Sequence, residues 1–200
     1  DVDRPGYVPR GQGRLVLRVE PVAVPLRPFR LLKQGHLKAV YGIALASHLA
    51  KQHVAPRMAE TCEQVLLKRG LRSTIEIRED ETAAQPGAAL AIWTETSEGA
   101  MLGADMAGAP GRPSEKIGKK VAHALLDDLD TAATVDRHLA DQLIVFAALA
   151  DGTTSYHVPE ITEHVESNLW LVREMLGARA HVSGNVVTVQ GVGLRISSQD

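Results

Sequence analysis

Apolar and polar positions first fall into register after a turn-forming stretch, Gly6-Tyr7-Val8-Pro9-Arg10-Gly11-Gln12-Gly13. Leu15, Leu17 and Val19 then alternate with Arg14, Val16 and Arg18, which predicts a strand over 14–20. Val16 on the second face suits a strand buried on both sides. Pro21, Pro25 and Pro28 interrupt regular structure and place a boundary near residue 30. The apolar run between Leu37 and Ser47 suits a buried strand, although periodicity alone also admits a helix there. Pro56 then stands at a first helical position, with Met58, Cys62, Val65 and Leu66 on one apolar face and Gly70 placed to end the helix. Ile75 and Ile77 mark a half-buried strand, Leu90 to Thr94 another, and Ala100 to Met106 a third. Ser114 caps a helix whose buried stripe is Ile117, Val121, Leu125 and Leu126. Residues 30–130 thus form one α/β unit, ordered strand, helix, two or three strands, helix.

Beyond Asp130 the pattern predicts two helices and a hairpin. Val135, Leu139, Leu143, Phe146 and Ala150 recur at helical spacing. Ile161, Val165, Leu169, Val172 and Leu176 line one side of the second helix, which stops at Gly177. Gly184-Asn185 turns a short strand near His181 into the alternating Val187, Val189 strand, and Val192 to Ile196 offers an edge.

Composition narrows the function classes. In 200 residues, 44% hydrophobic and 23% charged side chains supply a globular core. The net charge of −2 gives no overall positive field, so any nucleic-acid contact must be local. Cys62 is the single cysteine, which excludes an intramolecular disulfide and multi-cysteine zinc patterns and points to a reducing, cytoplasmic compartment. The chain opens on Asp1 without a basic-then-apolar leader, no run is long enough to span a membrane, and the lack of an initiator methionine suggests a start within a longer protein. The eight histidines include no His-Glu-x-x-His pair, and His48 and His53 are five apart, so no protein-held metal is expected. The glycine-rich turn precedes a strand, unlike nucleotide-binding glycine loops, which precede a helix.

Two clusters remain as candidates. His138, Asp141 and Gln142 share a polar arc of the first late helix and can converge on one ligand, or simply face solvent. His164 lies about one turn after Pro159, with Asn168 four residues on. A helix N-terminus favours the neutral, nucleophilic imidazole and also attracts phosphate, so His164 suits covalent phosphoryl chemistry; a surface histidine is the plainer alternative.

Taken in order, Gly6 to Gly13, then Val135-Asp136-Arg137-His138-Leu139-Ala140-Asp141-Gln142-Leu143, then Ile161-Thr162-Glu163-His164-Val165-Glu166-Ser167-Asn168 resemble the RNA 3'-terminal phosphate cyclase family. The resemblance implies an α/β fold in which repeated α/β units form a catalytic core, with a smaller, thioredoxin-like α/β domain inserted. Residues 1–29 and 131–200 would belong to the core and 30–130 to the insert. It implies adenylate contacts for His138, Leu139, Ala140, Asp141 and Gln142, and adenylylation of His164. ATP with magnesium or another divalent ion would be consumed, and the partner would be an RNA ending in a 3'-phosphate, closed to a 2',3'-cyclic phosphate. Gln12 stands where the family usually has a third glycine, Ser167 replaces the usual Thr, and the family's N-terminal glycine-rich and arginine-bearing segments are not in the chain. Two rivals stand beside this reading. One is a non-catalytic relative that binds RNA or assists ribosome assembly; the other makes residues 30–130 a generic interaction domain, without redox chemistry because no Cys-x-x-Cys pair is present.

Overall fold

A computed structural model describes residues 1–21 and 24–195 and divides the chain into two compact units. The first comprises Asp1–Val19, Leu37–Glu95 and Gly103–Asp127. It opens with β1 (Val2–Arg4) and β2 (Arg14–Leu15), which pair antiparallel. The second comprises Glu20–His36, Thr96–Leu102 and Asp128–Asp200, and β3 (Arg30–Leu31) lies in it.

In the first unit the apolar run forms β4 (Leu37–Ser47), an 11-residue strand. A short turn of 3-10 helix leads to α1 (Val54–Lys68), with Pro56 in its first turn, where a missing N–H costs nothing. Gly70, at φ 73°, takes the left-handed conformation that lets the chain turn out of the helix. Then follow β5 (Ser73–Asp80), β6 (Gly87–Thr96), β7 (Gly103–Ala107) and α2 (Ser114–Asp130). The sheet order is β5-β4-β6-β7, with β4 and β5 parallel and β6 and β7 antiparallel. Met58, Cys62 and Leu66 of α1 and Ile117, Val121 and Leu125 of α2 are buried, as their spacing predicts. The two helices touch at Gly118, where a Cβ would stand 2.5 Å from the Met58 carbonyl oxygen.

The second unit continues with α3 (Leu139–Leu149), β8 (Thr153–His157), α4 (Glu163–Leu176), β9 (Arg179–Ser183) and β10 (Val186–Gln190). Its sheet order is β3-β8-β10-β9, parallel between β3 and β8 and antiparallel elsewhere. Val165, Leu169 and Val172 of α4 and Ile144 of α3 pack with Tyr156, Val187 and Val189 into one core. The hairpin turns at Gly184, at φ 57°, and pairs Ser183 with Val186.

The structure departs from the pattern in four places. The strand expected over 14–20 is limited to Arg14 and Leu15, and Leu17 and Val19 are 79% and 73% exposed. Alternation prepares a face for burial, but a strand also needs a partner edge, and β1 provides only three residues of it. The α3 stripe is rotated: Ala140, Ile144, Ala147 and Ala148 are buried, whereas Phe146 is 57% exposed and Val135 lies outside the helix, bridged to Met101. Small side chains win the inner face because the backbone packs closely there; a Cβ on Gly191 would collide with the carbonyls of Ala147 and Ala150. β8, Thr-Thr-Ser-Tyr-His, shows no apolar alternation, yet it lies inside the sheet between β3 and β10. Residues Val192–Arg195 are not a strand; Val192 and Leu194 donate backbone N–H groups to Ala148 and Leu149, and Ile196 lies outside the described residues.

Candidate functional site

The entry to α3 is set by two aspartates. Asp136 Oδ1 accepts from the backbone N–H groups of His138 and Leu139, both at 2.9 Å, and thus caps the helix. Asp128, 2% exposed, receives Arg137 through Nη2 at 2.6 Å, Nε at 3.1 Å and the backbone N–H at 3.1 Å. A charge-assisted fork of this kind holds the segment that leads into His138. An Asp just before an apolar helical run is a cap signal legible in sequence. The Asp128 pairing leaves no such local trace.

Within the segment the side chains divide by direction. His138 and Gln142 are exposed and Asp141 is half-buried, whereas Leu139 packs against the core and Ala140 is 1% exposed. The Ala140 carbonyl accepts the Tyr156 hydroxyl at 2.9 Å. Burial raises the pKa of that phenol, and the nearby Asp141 charge adds to the rise. Tyr156 is therefore a neutral donor that fixes the first turn of α3 from below.

α4 begins where its sequence dictates. Thr162 is the N-cap, its side-chain oxygen accepting the Val165 N–H at 3.3 Å, and Gly177 closes the helix at φ 68°. His164 is consequently the second helical residue and is exposed. The positive end of the helix dipole faces the same solvent. Glu163 and Glu166, also in the first turn, already use part of that field.

α3 and α4 pack together, and Asn168 joins the two segments: its Nδ2 lies 3.4 Å from the Asp141 carbonyl oxygen and 3.5 Å from Asp141 Oδ2, both at the long end for hydrogen bonds. Asn168 is one turn beyond His164. The structure thus brings Asp141 to the His164 helix through Asn168, while no hydrogen bond or ion pair among the described residues links His164 itself to His138, Asp141 or Gln142. A concavity of about 480 Å3 on α4 is lined by Glu166, Ser167, Asn168, Trp170 and Leu171. It adjoins Asn168 and does not include His164.

The glycine-rich turn belongs to the first unit. Gly6 and Gly13 meet so closely that a Cβ on Gly6 would lie 2.5 Å from the Gly13 nitrogen. Tyr7 Oη lies 3.0 Å from Ser47 Oγ, Gln85 Nε2 donates to the Val8 carbonyl at 2.6 Å, and a side chain at Gly87 would strike the Tyr7 ring. Gln12 adopts φ 57°, the left-handed conformation that a glycine takes without strain.

These features define a mixed α/β protein with exposed polar side chains at the start of α4. Residues 32–130 match the family model described as "RNA 3'-terminal phosphate cyclase (RTC), insert domain". Proteins named RNA 3'-terminal phosphate cyclase are similar over most of the chain. That of Caldivirga maquilingensis is 36% identical over 179 residues, 88% of this chain and 50% of the relative. Those of Pyrobaculum aerophilum, at 34% over 95% of this chain and 55% of the relative, and Methanopyrus kandleri, at 33% over 92% and 53%, agree. The chain belongs to the RNA 3'-terminal phosphate cyclase family and spans about half the length of the curated relatives it matches. Among the described residues no helix is long and apolar enough to cross a membrane.

Proposed function

We propose that this chain supplies the nucleophile of an ATP-dependent RNA 3'-phosphate cyclase, with His164 as the residue that takes up AMP. The observation that carries the reading is the placement of His164, exposed in the first turn of α4, one turn before an Asn168 that reaches Asp141 on α3. In this reading a ring nitrogen of His164 attacks the α-phosphorus of ATP; the P–N bond forms as the bond to pyrophosphate breaks. A divalent ion, magnesium or a substitute, travels with the phosphates and offsets Glu163 and Glu166. AMP then passes to the RNA 3'-phosphate, and the adjacent 2'-hydroxyl displaces it, giving the 2',3'-cyclic phosphate and free AMP. His138, Asp141 and Gln142 contact the adenylate with their side chains. Leu139 and Ala140 contribute by packing and through the backbone. Residues 131–200 and 1–29 act here as catalytic core and 30–130 as insert.

The test is label transfer from ATP labelled in the α-phosphate to the full-length protein. Wild type is expected to take up acid-labile, alkali-stable label, as a phosphorus–imidazole bond requires. His164→Ala and His164→Asn are expected to take up none while keeping the fold, because an exposed helical position tolerates substitution within roughly 0.5 kcal/mol. Label in His164→Ala would move the nucleophile elsewhere. A folded wild type that never takes label would favour a binding or ribosome-assembly role.

A further inference from the structure

Away from α3 and α4, the two helices of the first unit enclose a second feature. Between the C-terminal end of α1 and the outer face of α2 runs a groove of about 390 Å3, lined by Val65, Lys68, Arg69, Lys119, His123 and Leu126. Val65 and Leu126 form its apolar floor; the other four side chains are exposed and carry or can carry positive charge. No carboxylate lines it. The acidic residue one turn before Lys119 on α2 is Glu115, and Arg57 engages it through Nε at 2.7 Å and Nη2 at 3.0 Å. Asp127, one turn beyond His123, is not among the lining residues. Lys68 has no ion-pair partner among the described residues; Lys119 makes no direct bridge among them, although its charge acts on Glu115 one turn away together with that of Arg57. Cations near the end of α1 complement its dipole, but that accounts for Lys68 and Arg69 only and not for Lys119 and His123 facing them from a different helix. In a chain of net charge −2, a groove with cations on both walls and no acid is a local positive field of the kind that tracks a phosphate backbone.

We propose that the α1–α2 groove, through Lys68, Arg69 and Lys119, holds the phosphodiester backbone of a single-stranded RNA upstream of its 3' end. The partner's identity as RNA rests on the cyclase reading above; the anionic character of the ligand rests on the groove. His123 and the apolar floor lie where a sugar or base would contact the groove. Because backbone phosphates are the same in every sequence, the groove contributes affinity without sequence preference.

The experiment measures binding of a fluorescent single-stranded RNA ending in a 3'-phosphate to the full-length protein, without ATP, across a range of salt. Lys68→Ala with Lys119→Ala is expected to weaken binding and lower the salt slope by about 1.4, from roughly 0.7 per lost phosphate contact on a single strand. The variant's disadvantage should then shrink about sevenfold between ~50 and ~200 mM salt. Lys68→Arg with Lys119→Arg should restore binding, and Lys51→Ala, an exposed lysine outside the groove, should leave it unchanged. Unaltered affinity and slope in the double alanine variant would overturn the proposal, as would a loss that the arginine pair fails to restore. Uptake of label from ATP needs no RNA and is expected to be normal in the double variant, so a failure of His164 labelling refutes the cyclase reading and leaves the groove measurement standing.

Discussion

Asp80 ends β5 with its carboxylate surrounded by donors: the Thr82 hydroxyl at 2.6 Å, the Thr82 N–H at 3.1 Å and the Ala83 N–H at 3.1 Å. Burial alone would raise its pKa, but hydrogen bonds from Ser47, Thr82 and the backbone outweigh burial and hold it at about 2, below the ordinary 3.8. A carboxyl depressed in the folded state stabilises the protein above its unfolded pKa and loses that contribution as pH falls through the folded value. The stability gap between wild type and Asp80→Asn is therefore expected to be constant above about pH 4 and to close between about pH 4 and 2, measured by denaturant unfolding at each pH. A gap that does not change across this window would show that the donors do not favour the ionised form. Tyr156 makes a second test at the same scale. Tyr156→Phe removes the bond to Ala140 with little change of volume, and should cost about 1 kcal/mol, or roughly 2–4 °C in Tm for a chain of this size. An unchanged Tm would mean the hydroxyl contributes nothing to holding α3.

Between elements, the contact that matters most for the proposed groove is the approach of α1 to α2 at Gly118. Exchanging a helical glycine for alanine ordinarily stabilises by about 0.8–1 kcal/mol. Here the new Cβ would meet backbone, the Met58 carbonyl at 2.5 Å and the Cys62 nitrogen at 3.0 Å, which cannot rotate aside. Overpacking of that kind costs typically 1–3 kcal/mol, so Gly118→Ala is expected to destabilise by about 1 kcal/mol net, and Gly118→Val by more, in thermal unfolding. A more stable Gly118→Ala protein would show that the helices can part freely. Elements also differ in how much of them the sequence discloses. α4 announces itself at both ends, through Thr162 and Gly177, and along one face, through Val165, Leu169 and Val172. β8 discloses little, because Thr154, Ser155 and Tyr156 are buried as polar or amphipathic residues, and Ser155 Oγ meets Thr188 Oγ1 across the ladder at 3.2 Å. That pairing satisfies a hydroxyl that the apolar count treats as exposed.

Across the whole chain there is one cysteine, and it is fully buried in α1. Burial pushes its thiol up to about 12, with Glu63 adding to the shift. The thiolate is the reacting species, so Cys62 should resist an aromatic disulfide reagent at pH 8 and react at once in denaturant. Its modification under native conditions thus reports opening of the first unit, and rapid reaction of the folded protein would contradict the burial of α1 against its sheet.

The sequence by itself determined the local elements and the candidate chemistry. Turn residues, caps and periodicity place α1, α4 and the β9–β10 hairpin, and they put His164 at the start of a helix, because each of these signals acts over a few residues; at β4 they left a helix open as well as a strand. Only the tertiary structure decided which apolar face is used and what each polar group meets. α3 is apolar almost all round, so the choice of Ala140 and Ile144 over Phe146 rests on which face lets backbones approach. The alternation of Leu15, Leu17 and Val19 is sound as a strand pattern, but burial of that face depends on a partner edge that the pattern cannot specify. Asp128 with Arg137, Asp141 with Asn168, and the facing cations of α1 and α2 likewise join residues whose separation along the chain carries no periodic trace. Such pairings arise from packing, in which distance through space replaces distance along the chain.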